Sequence, residues 1–181
     1  MLAMLMLMTA GCAPAKPAQP AVEQWVETSV PELGVKFTKP AEWTVVLGMP
    51  GVDSSRMTDL QAMSFVGIDD HFTQVGLLRV PAVDPSLTRE QNLAETVQSY
   101  RKGAKDDGSK VIEDSQRKIA GCPASIFTTE NGRTGIDVRF MLIHFNSMQH
   151  EYRMNVAGEK GFFDDARSKV MRMVDSMELI E

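Results

Sequence analysis

Asn131-Gly132 sits between two runs of alternating apolar and polar residues, and that arrangement constrains the fold more than any other feature of the chain. Both residues tolerate positive φ, so the pair marks a tight β-hairpin turn. Centring a two-residue turn there predicts Glu130 opposite Arg133, Phe127 opposite Ile136 and Ser125 opposite Val138. That register places Phe127, Ile136, Val138 and Phe140 on one face. Beyond it, Val138, Phe140 and Leu142 alternate, as do Tyr152, Met154 and Val156. Matching those faces pairs Leu142 with Tyr152 and Phe140 with Met154, with an odd loop of about three residues around Ser147. Strands over 110–119, 124–130, 134–145 and 150–157 then form a continuous antiparallel meander.

Upstream, 34–39 and 43–47 read as strands separated by Pro40-Ala-Glu42. Residues 60–68 and 72–80 read as a second pair joined by the polar tip Asp69-Asp70-His71. The Gly-, Pro- and Ser-rich 48–59 and the stretch 81–87 are loops. Thr88 followed three residues later by Gln91 is a capping box, and Leu93, Val97 and Tyr100 recur at helical spacing, which predicts a helix over 88–101. Asp106-Asp107-Gly108 turns the chain back. A final helix over 161–177 carries Phe162, Ala166, Val170, Met173 and Met177 on one face. Strand pairs, a helix, four strands and a second helix define an α+β domain: a mainly antiparallel sheet flanked by two helices.

The chain has 181 residues, a formal net charge of −5 and 43% apolar residues. One globular unit over 22–181 is expected, 160 residues long and large enough to fold without disulfide or metal. Net acidity excludes nucleic acid as a partner, because phosphate neutralisation needs clustered Lys and Arg. Neither repeats nor a nucleotide-binding loop occur, and no cofactor is expected.

Residues 1–12 form an apolar Leu/Met run ending in Thr9-Ala-Gly-Cys12, small residues directly before a cysteine. That is the pattern of a bacterial lipoprotein signal, with cleavage before Cys12 and lipidation of its thiol. The run is about half the roughly 20 residues of a spanning helix. No Lys or Arg precedes it, as a secretory leader would require, which points to a start codon further upstream. Residues 13–21, rich in Pro and Ala and without periodicity, form an extended tether. Ala13 in place of Asp after the cysteine favours the outer membrane, facing the periplasm. Cys12 is thus committed to lipid, and Cys122 is left as a small buried hydrophobe or, alternatively, a reactive or dimerising thiol.

Few residues offer chemistry. His144 and His150 are the metal candidates, since the register above sets their rings across a hairpin end, although zinc needs three or four ligands. Asp69-Asp70-His71 lacks the Gly-bearing loop of a calcium site. Cys122 with His144 would make a thiol nucleophile pair, but nothing near Cys122 would activate it. Asp164-Asp165 suit a helix N-terminus. Met141, Met148, Met154, Met171, Met173 and Met177 either fill the core or wall an adaptable groove.

Gly34-Val-Lys-Phe-Thr-Lys-Pro-Ala-Glu-Trp43 resembles the strand, Pro, turn, Trp, strand opening of the PsbP-like superfamily. Gly121-Cys-Pro-Ala124 resembles the small-residue turn before one of its later strands. That group includes the extrinsic photosystem II subunit, a Ran-binding nuclear import factor and the bacterial DcrB-like lipoproteins. The resemblance covers about 30–180 and implies an α/β/α sandwich that binds or organises other proteins. No metal-ligand residues of the plant members match. The expected role is a membrane-anchored, non-catalytic binding or scaffolding module for a cell-envelope partner. The alternatives are a carrier or sensor of a small apolar ligand and, third, an enzyme of a type the motifs do not identify.

Overall fold

The structure, a computed structural model, describes residues 23–48, 61–66, 74–81, 84, 86–131 and 137–180. Its elements are β1 (Trp25–Val30), a 3-10 turn (Pro31–Leu33), β2 (Val35–Pro40), β3 (Thr44–Leu47), β4 (Gln61–Val66), β5 (Gln74–Pro81) and α1 (Arg89–Asp107). There follow β6 (Lys110–Ile119), β7 (Cys122–Asn131), β8 (Val138–Asn146), β9 (His150–Glu159), α2 (Lys160–Asp175) and β10 (Glu178–Leu179). A seven-stranded antiparallel sheet runs β3-β4-β5-β9-β8-β7-β6, and a small sheet runs β1-β2-β10. The α+β class and the β6–β9 meander agree with the sequence reading, while β1 and β10 are additions to it. The Asp69-Asp70-His71 tip lies outside the described residues.

One face of the large sheet builds the main core. Ile126, Met141, Ile143, Phe145, Tyr152, Met154, Leu77 and Met63 are buried there against Phe163, Val170 and Met173 of α2 and Phe37 of β2. Phe145 and Tyr152 stack with ring centres 4.8 Å apart and 5° between planes. The opposite face is covered over β7 and β8 by α1. Helices therefore flank the sheet on both sides. Four of the six methionines noted above (Met141, Met154, Met173, Met177) are core residues, and Met171 packs against the same cluster. Only Met148, at 77% exposure, stands out in solvent.

Both hairpin registers differ from the expected ones. Asn131 pairs with Val138 and Phe127 with Leu142, six residues beyond Ile136. The two-residue turn falls elsewhere: Ala120 and Gly121, at φ 48° and 77°, connect the pair Ile119 and Cys122. At β8–β9, Leu142 pairs with Asn155, Phe145 with Tyr152 and Ile143 with Met154. The turn is even, not odd: Ser147 N–H donates to the His150 carbonyl at 2.8 Å, and the Ser147 hydroxyl accepts from His150 N–H at 3.0 Å. An odd shift in register exchanges faces. Met141, Ile143 and Phe145 consequently form the deep core, and Phe140, at 47% exposure, lies on the α1 side. In α2 the buried aromatic is Phe163, whereas Phe162 is at the rim.

The edge strand β6 carries a bulge between Val111 and Glu113. Gly34 adopts φ +65° after the 3-10 turn, and a Cβ there would lie 2.9 Å from Arg79 Nη1.

Candidate functional site

Helix α1 starts as its sequence dictates. Thr88 N–H donates to Gln91 Oε1 at 2.8 Å and Gln91 N–H donates back to Thr88 Oγ1 at 3.2 Å, completing the capping box. Its inner stripe of Leu93, Val97, Tyr100 and Ala104 settles on β7 and β8, and Tyr100 lies with its ring 6.3 Å from that of Phe127. Beneath the helix the apolar run of β8 is interrupted by His144, which is 0% exposed.

His144 is the hub of a polar cluster. The Tyr100 hydroxyl meets Nδ1 at 3.1 Å, and Nε2 meets Asn146 Oδ1 at 2.9 Å. Asn146 Nδ2 donates in turn to the Arg89 carbonyl in the first turn of α1, at 3.3 Å. Because an amide oxygen only accepts, Nε2 carries a proton, and in the neutral ring Nδ1 then accepts from the phenol. Glu151, 2% exposed, holds its Oε1 3.8 Å from Nε2 and is hydrogen-bonded by Arg153 Nε. Burial pulls the imidazole below its ordinary pKa, opposed by the Glu151 charge and the Asn146 bond, with Arg153 adding to the lowering. Burial likewise pushes the Tyr100 phenol up to about 12.

Two depressions border this cluster. A cleft of about 320 Å³ at the start of α1 is lined by Asp84, Thr88, Asn92, Asn146, Met148 and Glu151. A groove of about 340 Å³ runs along the later half of α1, between Tyr100, Gly103 and Ala104 on the helix and Phe127, Phe140 and Leu142 on the sheet.

The expected metal pair is not brought together. His144 faces α1 opposite Arg153, whereas His150 points to the other side of the sheet beside the Tyr152 ring, since adjacent parities of a strand face opposite ways. Among the described residues no group of three or more His, Cys, Asp or Glu is placed to hold a metal ion. Cys122 is buried on the core face, its sulfur 3.7 Å from the Ala120 carbonyl, and cannot reach His144 across the sheet. Asp164 and Asp165 lie past the first turn of α2 and serve as ion-pair partners of Arg139 and Lys169. Sequence reasoning missed Tyr100 as a partner of His144. A histidine inside an apolar strand, together with a tyrosine on the buried stripe of a helix, was the available signal, because a buried phenol needs a partner. Among the described residues no helix is long and apolar enough to cross a membrane.

A seven-stranded antiparallel sheet with a helix on each face defines an α+β sandwich. No family model matches the sequence, and no curated protein does. Among solved structures, the chain is similar to the cyanobacterial PsbP protein CyanoP of Synechocystis, with TM-score 0.60 and 11% identity over 93% of this chain and 97% of that one. It is also similar to LpqN of Mycobacterium tuberculosis, described as involved in cell envelope biogenesis, with TM-score 0.52 and 12% identity over 86% and 90%. A Bacteroides thetaiotaomicron protein matches with TM-score 0.56 and 9% identity over 86% of this chain. The chain spans 48% of that protein's length. The fold is PsbP-like.

Proposed function

We propose that the chain is a membrane-anchored lipoprotein of the cell envelope whose folded part is a non-catalytic binding or scaffolding module. Cys12 carries the lipid, 13–21 is the spacer, and the protein faces the periplasm from the outer membrane. The observation that carries the reading is the burial of the imidazole–carboxylate pair His144 and Glu151 among the described residues, with exposures of 0% and 2%. A general base must come within hydrogen-bond reach of substrate, and here His144 is engaged by Tyr100 and Asn146 and Glu151 by Arg153. The PsbP-like fold and the cell-envelope role given for LpqN support the same direction. The test is crosslinking of the intact protein in its native membrane, with a Cys12→Ser variant in parallel. Capture of a defined envelope protein, lost with membrane association in the variant, is expected. Firm membrane association of Cys12→Ser, or turnover by the purified folded part, overturns the reading.

The groove of about 340 Å³ favours a second reading, a carrier or sensor of a small apolar ligand. Its lining by Tyr100, Phe127, Phe140 and Leu142, alongside the polar Asp107, Thr129 and Asn155, is the mixed but mainly apolar make-up of a small-ligand site. Quenching or displacement of an environment-sensitive apolar dye by Phe140→Asp decides it: unchanged dye binding in that variant removes the groove from consideration.

A further inference from the structure

We propose that the cleft at the start of α1 is a binding site for a small organic ammonium, a primary amine carried on a short apolar stem. The side chain that carries the inference is Asn92, which lines the cleft and is 9% exposed. Its Nδ2 donates to the Asp84 carbonyl, in the same wall, at 3.1 Å. A carbonyl only accepts, so this bond fixes which end of the amide is oxygen. That oxygen, Asn92 Oδ1, is buried and has no hydrogen-bond partner. Burying an acceptor without a donor is costly, and a ligand that brings an N–H or O–H removes the cost.

The rest of the wall narrows that donor to a cation. Glu151, 2% exposed, lines the same cleft. Arg153 Nε and the His144 ring both approach its Oε1, which leaves Oε2 for a ligand. Asp84 adds a second carboxylate, held below the usual carboxylate range by the Ser86 hydroxyl and N–H, which bond Oδ1 at 2.6 and 2.8 Å. Glu90 adds a third, and among the described lining residues Arg89 is the single opposing charge. An anion drawn to the positive end of α1 would meet these carboxylates. A bare metal ion suits the cleft no better. Among the described residues no three acidic or metal-ligating groups converge, and a space of about 320 Å³ calls for an organic ligand. Ammonium N–H bonds are charge-assisted and stronger than those of a neutral hydroxyl. Leu87 and Met148, the latter 77% exposed, supply apolar surface for the stem. The site is separate from the groove along the later half of α1, and it stands whether or not Cys12 carries lipid.

NMR titration of the full chain with n-butylammonium at neutral pH tests the site. Saturable shifts confined to the cleft, with Asn92 and Glu151 among the residues that move, are expected at a Kd of about 1 mM or below. Tetramethylammonium keeps the charge without N–H donors, and 1-butanol keeps the stem without the charge; neither should saturate the cleft. Asn92→Leu removes the acceptor at similar volume and Glu151→Gln removes the charge, and each should weaken butylammonium binding by about tenfold or more. An equal response to tetramethylammonium, tighter binding of 1-butanol or glucose than of butylammonium, shifts scattered over the surface, or undiminished binding in either variant would each overturn the proposal. The comparison of probes uses the unaltered protein, so it decides the question even where a variant fails to fold.

Discussion

The Arg172 guanidinium of α2 lies 3.9 Å from the centre of the Trp25 ring in β1. Beside it, Lys169 reaches Glu23 at 3.3 Å, and Glu23 accepts from the Trp25 indole at 3.1 Å. The first described residues of the chain are thereby fastened to the last helix. An exposed cation–π contact contributes about 0.5–1 kcal/mol. Arg172→Ala should lower unfolding stability by that amount in urea titrations, with no change in m-value.

Phe145→Ala and Phe140→Ala separate the two faces of β8. Phe145 is enclosed and stacked on Tyr152, so its truncation should cost about 3–5 kcal/mol. Phe140 is about half exposed, and its loss should cost about 1 kcal/mol or less. Equal costs in chemical denaturation would mean that the face assignment is wrong.

How far the sequence discloses this architecture depends on the range of the interactions involved. The Thr88–Gln91 capping box spans three residues, and it forms as read. The α2 stripe of Ala166, Val170 and Met173 is equally local. The hairpin registers are different in kind. Asn131-Gly132 suits a tight turn, yet burying Ile126 against Ile143 and Phe145 against Tyr152 gains more apolar contact than the local turn preference, and the pairing moved. His144 stood out as a histidine in an apolar strand, but its partner Tyr100 is 44 positions away and on a different element. Assigning it to His150 followed from a parity error in one turn. The residues lining the cleft and the groove were not legible, because each is formed by a helix laid on strands distant in sequence.

Acid and alkali should act on the α1 interface from opposite sides. The folded pKa of His144 is lowered, so the unfolded chain binds the extra proton first. Its stabilisation is complete above the unfolded value of about 6.5 and is lost as pH falls from there through the folded pKa. Urea midpoints measured down this range should decline less steeply in His144→Gln.

For Tyr100 the folded pKa is raised to about 12, so its contribution is complete below about pH 10 and is lost as pH rises toward about 12. Tyr100→Phe removes an ionisable group and should flatten the alkaline limb of the stability profile. A limb of unchanged slope would place the titrating group elsewhere.

Gly34→Ala should destabilise by about 1–2 kcal/mol, the cost of left-handed backbone for an L-residue. The 2.9 Å approach to Arg79 Nη1 adds little, because the far end of that side chain can swing aside. Thermal unfolding of the single variant measures it.

The outer rim of the large sheet has a further effect. β6 is ten residues long and, among the described residues, pairs with β7 alone, which leaves its other margin open to an extended chain. The irregularity between Val111 and Glu113 breaks the spacing that an incoming strand would need, and Glu113, Asp114, Arg117 and Lys118 set both signs of charge along it. Molecules crowded side by side can thus jostle without zippering into a shared ribbon.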